Sequence, residues 1–377
     1  MLIQFFDFAV ILLIVKALIQ PLPFQDPNLT INSTRNSPVP RTGLSREKPD
    51  PPDDTQKFEI EGSLFNIWYG SPISFGELGQ PQPWVNILGN LTDTSDVTAL
   101  SYTLNWDSPI SLSIGSDSRR LVNRGDFNID LSASDLSDGL NTVIITAQDF
   151  LGNTSNETIS VDYSDGTIWP LPYNIDWSTV TSDVDIQDVA QIVDGKWTIT
   201  QTGIRTAKPG YDRLVAIGDR TWNDYEVTVP VTIHSIFSES YGVGLVVRWD
   251  GHTDSPVTCS QPKCGWEPLG DIGWITELGL KLYYGGRRGF SWDPNTEYML
   301  KMRVETSGVN TTYSLKSWNP KNHNEPSEWG VNRTTSNTPA RGSVMLIAHM
   351  VDVTFGDVTI EPIGDPINYL RLPLIIR

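Results

Sequence analysis

The amino-acid sequence predicts an all-β protein made of two β-sandwiches in series, a short one followed by a longer one. Two observations carry this. Thirty Gly and 26 Pro, among many Ser, Thr and Asn, punctuate the chain at short intervals, as turns between strands require. Between those turns apolar and polar residues alternate with period two, the mark of strands with one buried and one solvated face. Hydrophobic residues make up 38% of the 377, which is enough for packed cores and suits two or three domains.

Residues 1–22 are mostly apolar, broken by Asp7 and Lys16. They read as a signal peptide or a short membrane anchor, so the chain is expected to be exported, secreted or held at the cell surface. Residues 23–57, with Asp50-Pro51-Pro52-Asp53-Asp54, read as a disordered linker. Residues 58–164 carry short alternating runs: Leu100, Tyr102, Leu104 and Trp106; then Val143, Ile145 and Ala147; then Ile159, Val161 and Tyr163. About seven such runs in about a hundred residues is the size of an immunoglobulin-like sandwich.

Residues 165–178 hold Trp169, Pro170, Pro172, Tyr173 and Trp177, too aromatic for a loose tether, and are expected to pack against a neighbouring sandwich. Residues 179–363 have longer strands, which suits a two-sheet jelly roll. Val227, Val229, Val231 and Ile233 alternate with polar positions, and Pro230 on the polar phase argues for an edge strand or a bulge. The closing run from Val353 to Ile360 is expected to break at Gly356-Asp357. Residues 364–377 end in an apolar and basic run, read as a sorting or anchoring tail or as a plain terminal segment.

Two stretches resemble known families. Ile144-Ile145-Thr146-Ala147-Gln148-Asp149-Phe150-Leu151-Gly152-Asn153-Thr154 resembles the last hairpin of bacterial immunoglobulin-like repeats, which implies a spacer or adhesion module. Trp222-Asn223-Asp224-Tyr225-Glu226-Val227, then the run Gly242-Val243-Gly244 through Trp249, then Tyr298 through Val304, is similar to the concanavalin-like lectin and glucanase superfamily, laminin-G-like in the broad sense. That resemblance implies a concanavalin-like jelly-roll sandwich; the fold itself hosts lectins, glycosidases and adhesins alike.

Several function classes lack their signatures. A net charge of −18 repels a phosphate backbone, so no nucleic-acid partner is expected. The Glu-x-Asp-x-x-Glu strand motif of the glucanases is missing, as are zinc-protease, nucleophile-elbow and phosphate-loop motifs. Glu267, Asp271 and Glu277 are the carboxylates a loop-built glycosidase would use. Cys259 and Cys264, the only two cysteines, either close a small disulfide loop in an oxidising compartment or remain free thiols.

The stretch from Arg248 to Trp292 is the candidate ligand site. Sugar recognition needs aromatic plates against pyranose rings and charged or amide groups for the hydroxyls. Trp266, Trp274, Tyr284 and Trp292 supply plates, and Arg248, Asp250, His252 and Arg287 supply polar groups. The alternative is that Trp249 and Trp274 are core and that Arg248 and Asp250 form a structural ion pair. By resemblance to carbohydrate-binding jelly rolls, a structural calcium is expected at Asp183, Asp185 and Asp357, with solvated loop acids as the alternative. The leading expectation is therefore a non-catalytic binder of polysaccharide or glycoprotein glycans, with possible membrane or cell-envelope attachment through residues 1–22. A glycoside-processing enzyme with loop carboxylates and a structural surface protein stand beside it.

Overall fold

The computed structural model describes residues 63–364, which lie in one compact unit. Residues 1–62 and 365–377, on which the expected leader, linker and C-terminal tail fall, lie outside the described residues. Every regular element described is a strand apart from three short 3-10 turns, at Ala133–Asp135, Trp177–Thr179 and Val184–Asp188.

The first hundred described residues make a small sandwich with its own core. A three-stranded sheet runs Phe65–Ile67, Trp84–Leu91, Asp126–Ser132. A five-stranded sheet runs Ile73–Phe75, Thr154–Tyr163, Gly139–Asp149, Val97–Leu104, Ile110–Leu112. The alternation seen in the sequence is the burial pattern: Val143, Ile145, Ile159 and Val161 point inward and meet Ile87 and Ile129 of the facing sheet. Trp106 departs from it and stands on the surface, because Asn105 and Trp106 both take positive φ in the turn that ends their strand.

The rest of the chain forms a larger antiparallel sandwich. Its seven-stranded sheet runs Gln191–Asp194, Arg213–Ile217, Ser343–His349, Gly242–Trp249, Asp271–Thr276, Gly279–Leu282, Arg287–Arg288. The facing nine-stranded sheet is centred on Tyr225–Ile236, flanked by Glu297–Ser307 on one side and by Val351–Phe355 and Val358–Pro362 on the other. Ser343–His349 and Val351–Phe355 are consecutive in the chain but belong to opposite sheets; Met350 makes the crossing at φ 53°. The connector packs as expected, with Trp169, Ile175 and Trp177 in the main core and Trp177 Nε1 donating to Gly356 O at 2.9 Å.

Pro230 corrects one expectation. Of the two alternatives, edge strand or bulge, the edge is overturned: the strand of Pro230 is central, and the irregularity lies in the pairing with its neighbour. The missing amide falls where the partner chain breaks at Gly356-Asp357: Val231 faces Phe355, Thr228 faces Thr359, and Pro230 O accepts from Gly356 N at 2.8 Å. A proline in mid-sheet is tolerated because the neighbour offers no carbonyl ladder at that point.

Candidate ligand cleft

The seven-stranded sheet is apolar on both faces. One face closes the main core with Val215, Val243, Leu245, Val247 and Leu346. The other carries a separate cluster built from the intervening positions. Leu214 is registered against Ile347, and Val246 against both Met345 and Ile272, so four adjacent strands lay one continuous aliphatic floor.

Three segments rise around this floor. Trp274 lies across the strand Gly242–Trp249, where a Cβ at Gly242 would fall 2.6 Å from its ring and one at Gly244 2.5 Å from its Cβ. The two glycines of the Gly-Val-Gly run thus make room for the indole. Tyr283 stands edge-on to Trp274 at 6.2 Å and to Trp266 at 5.1 Å between ring centroids. Tyr211 and His349 pair edge-on at 4.8 Å on the opposite side, with His349 Nδ1 2.7 Å from Asp212 Oδ1. Together these bound a cleft of about 250 Å³.

The third wall is polar at its base. Beyond the turn at Gly251 (φ 94°), His252 is buried, with Nε2 2.8 Å from Asp194 Oδ2 and Nδ1 3.0 Å from Gly265 O. Asp194 Oδ1 also accepts from Arg120 and from Asn128, both in the small sandwich. Arg120 continues to Asp130 (3.0 Å from Nη2) and to Lys263 O (2.6 Å). Burial alone would raise the Asp194 carboxyl; Arg120 and His252 beside it hold it below the ordinary aspartate range. The loop that carries Trp266 is held on the same side. Cys259 and Cys264 are joined in a disulfide with Cα atoms 5.6 Å apart, and Gln261 exchanges two hydrogen bonds of 2.9 Å with the Asp130 backbone.

The structure brings His252, Trp266 and Trp274 to this cleft and leaves the other expected ligand residues elsewhere. Arg248 is 1% exposed and faces away from it, donating to Asn223 O, Pro339 O, Asp224, Thr306 and Thr311. It sits in the main sandwich because the bulge before Trp249 turns it inward (φ 53°). Asp250 is exposed and paired with Arg220, not with Arg248. Tyr284 stacks under the Arg333 guanidinium at 5.2 Å, and Arg287 lies exposed on the edge strand. Trp292 donates to Tyr241 Oη at 2.8 Å and packs against the main core, so it is not a third plate.

Asp183, Asp185 and Asp357 do not form a ligand set. Asp183 accepts from Ile199 N at 2.8 Å and Thr198 Oγ1 at 2.9 Å, Asp185 from Thr181, and Asp357 from Trp177 N at 3.1 Å. Among the described residues no three His, Cys, Asp or Glu side chains are grouped to hold a metal ion. Asp271 is likewise committed: it accepts from Ile272 N and Tyr284 N and pairs with Arg333 at 3.0 Å, while its burial raises its carboxyl above the ordinary range.

Sequence reading missed Tyr211, Asp212, Arg119 and His349, which also line the cleft. They come from segments up to about 130 residues away from the Arg248–Trp292 stretch, and nothing local marks them. The floor did leave a signal: Leu214-Val215-Ala216-Ile217 and Val344-Met345-Leu346-Ile347-Ala348 are unbroken apolar runs, which strands show when both faces are covered.

No family model matches the chain, and no curated protein matches it. Among solved structures it is similar to the carbohydrate recognition domain of Emp46p in its metal-free form (10% identity, 44% of this chain and 85% of that one, TM-score 0.31). It is also similar to the exoplasmic/lumenal domain of VIP36 (10% identity, 47% and 86%, TM-score 0.30). The endo-beta-1,4-mannanase from Thermotoga petrophila matches at 13% identity over 29% of this chain, with a TM-score of 0.22, and the chain spans only 21% of that enzyme. At these values the fold and the site stand on the strand order and side chains described above.

Proposed function

We propose that this protein is an extracytoplasmic, non-catalytic glycan-binding or adhesion protein, and that it takes carbohydrate in the cleft over the seven-stranded sheet. One observation carries the reading. Trp266, Trp274 and Tyr283 converge on a single cleft, Tyr283 standing edge-on to both tryptophans, so that three aromatic side chains line a recess of about 250 Å³. Aromatic plates on a preformed recess are the arrangement that pyranose rings require. A glycosidase would need two free carboxyl groups flanking a bond. In this cleft Asp194 is spent on Arg120, Asn128 and His252, and Asp212 on His349.

The small sandwich, immunoglobulin-like in size, would present the cleft and serve as a spacer, and the disulfide suits an oxidising compartment outside the cytoplasm. The test is a glycan array with the purified full chain, repeated with Trp266→Ala and Trp274→Ala after far-UV circular dichroism has shown that both fold. Binding to at least one glycan is expected, weakened at least tenfold in each variant. A folded protein that binds no glycan, or variants that bind as well as the parent, would overturn the reading.

A further inference from the structure

The cleft does not end at Tyr211 and His349. A second recess, of about 550 Å³, shares both side chains with it. Neighbouring residues divide between the two. Arg119 lines the cleft and Ser118 the recess; Asp212 lines the cleft and Gly210 the recess; Ile347 lines the cleft and Met350 the recess. Three chain segments therefore run along both. Backbone hydrogen bonds stitch the recess together: Met350 N donates to Gly210 O at 2.7 Å, and Phe237 N donates to Met350 O at 2.9 Å. Glycine is needed at 210, because a Cβ there would fall 2.5 Å from the Val122 side chain.

The recess has an aromatic side chain of its own, and this one is open to solvent. Phe237 is 59% exposed and Tyr211 45%. A large apolar side chain left exposed beside a recess, on a loop fixed by backbone bonds, marks a binding surface. The exposed Ser118 and Ser240 line the same recess, and neither hydroxyl is taken up by another group of the chain. Aromatic side chains thus follow one another along a continuous lining: Trp266 and Tyr283 in the cleft, Tyr211 in both, Phe237 in the recess. One sugar needs one plate with a few polar groups beside it. A linear chain of sugars repeats an apolar ring face and its hydroxyls, and such a chain can use a succession of plates. We infer that the cleft and this recess are successive subsites for a single linear glycan chain, which crosses Tyr211 and rests a further sugar on Phe237. The inference deepens the glycan reading and rests on it.

The experiment is calorimetric titration of the full chain with linear oligosaccharides from one sugar to six. The probes are the cello-, xylo-, manno- and chito-oligosaccharide series. For at least one series, affinity is expected to rise at least twentyfold from the disaccharide to the hexasaccharide, more than the added registers of a longer chain supply by statistics. Phe237→Ala changes an exposed side chain and is expected to fold as the parent does, which far-UV circular dichroism checks. It should weaken the hexasaccharide at least fivefold and leave the disaccharide unchanged. Phe237→Tyr, which keeps the plate, should bind both as the parent does. Trp266→Ala should weaken both.

The outcomes separate the two readings. A disaccharide that binds as tightly as the hexasaccharide overturns the second subsite and leaves the glycan reading standing. A gain with length that survives Phe237→Ala, or a Phe237→Ala variant that loses the disaccharide as much as the hexasaccharide, also overturns it. No binding of any oligosaccharide overturns the inference; the glycan reading falls with it only if the glycan array is silent too.

Discussion

The two faces of the seven-stranded sheet are equally apolar and are covered in different ways. The inner face meets another sheet. Val215, Val243, Leu245 and Leu346 close against the strands Tyr225–Ile236 and Glu297–Ser307, and side chains alone do the sealing. The outer face meets the loop that holds the disulfide and the edge of the small sandwich. Irregular chain brings unpaired polar groups with it, so that cover is fastened by the buried ion pairs of Arg120 with Asp130 and Asp194, and by the hydrogen bond between His252 and Asp194. A sealed face gives stability. A face covered by pinned loops leaves a gap, and the cleft is that gap.

The largest expected effect lies in the pin. Arg120→Ala leaves Asp130 and Asp194 buried without their cation and is expected to cost roughly 3–5 kcal/mol in urea unfolding. Leu245→Ala on the inner face is expected to cost a similar amount, ~2–5 kcal/mol, through its cavity. The two differ in their response to acid. The Asp194 carboxyl is held below its unfolded value of about 3.9. Its stabilisation is therefore present above that pH and is lost as pH falls through the lower folded value. Unfolding free energy of the parent and of Leu245→Ala should decline together below about pH 4. Asp194→Asn, less stable at neutral pH, should decline less steeply. Parallel acid curves for all three would remove the ionic pin from the comparison.

Next in size is the disulfide. It closes only a short loop, so Cys259→Ser with Cys264→Ser is expected to cost about 2 kcal/mol by loop-closure entropy. The cost falls on the outer cover, and native-state hydrogen exchange should quicken in the loop around Trp266 and not in Val243 or Leu245. Smaller again is Gly242→Ala. The added methyl meets the Trp274 ring at 2.6 Å and must push it off the sheet, at about 1 kcal/mol of overpacking. Ligand affinity should fall at least fivefold, which calorimetry reads directly. Unchanged affinity would mean that the position of Trp274 does not matter to the site.

Where sequence and structure agree, the signal is local. The alternation of Val143, Ile145 and Ala147 or of Val227, Val229 and Val231 is the burial pattern of their strands, because a strand writes its two faces directly into the chain. The break at Gly356-Asp357 was legible for the same reason; for Pro230 an irregularity was legible but not its place in mid-sheet, because its neighbour's gap is a matter of pairing, not of its own sequence. The lining of the candidate cleft was half legible. His252, Trp266 and Trp274 belong to one stretch and were found together, while Tyr211, Asp212 and His349 arrive by sheet order. Arg248 was misassigned on chemistry alone: a guanidinium beside a tryptophan looks like a ligand group until a bulge turns it inward to satisfy Asn223 O and Pro339 O.

The smallest expected effect concerns Asp250, two residues before His252 on the chain yet outside the cleft. Its partner is Arg220, and both side chains are well exposed: 48% for Asp250 and 39% for Arg220. An exposed pair of this kind contributes at most ~1 kcal/mol, because solvent screens it and both side chains lose freedom in making it. Asp250→Asn should therefore shift unfolding free energy by less than about 1 kcal/mol, less still in high salt, and leave glycan affinity unchanged. His252→Gln, so close in sequence, should differ on both counts, since its ring stands between Asp194 and Gly265 at the base of the cleft. Measured side by side, the two variants mark where the outer cover ends: if Asp250→Asn weakens ligand binding as much as His252→Gln does, the site extends past the turn at Gly251 and the cleft is only part of it.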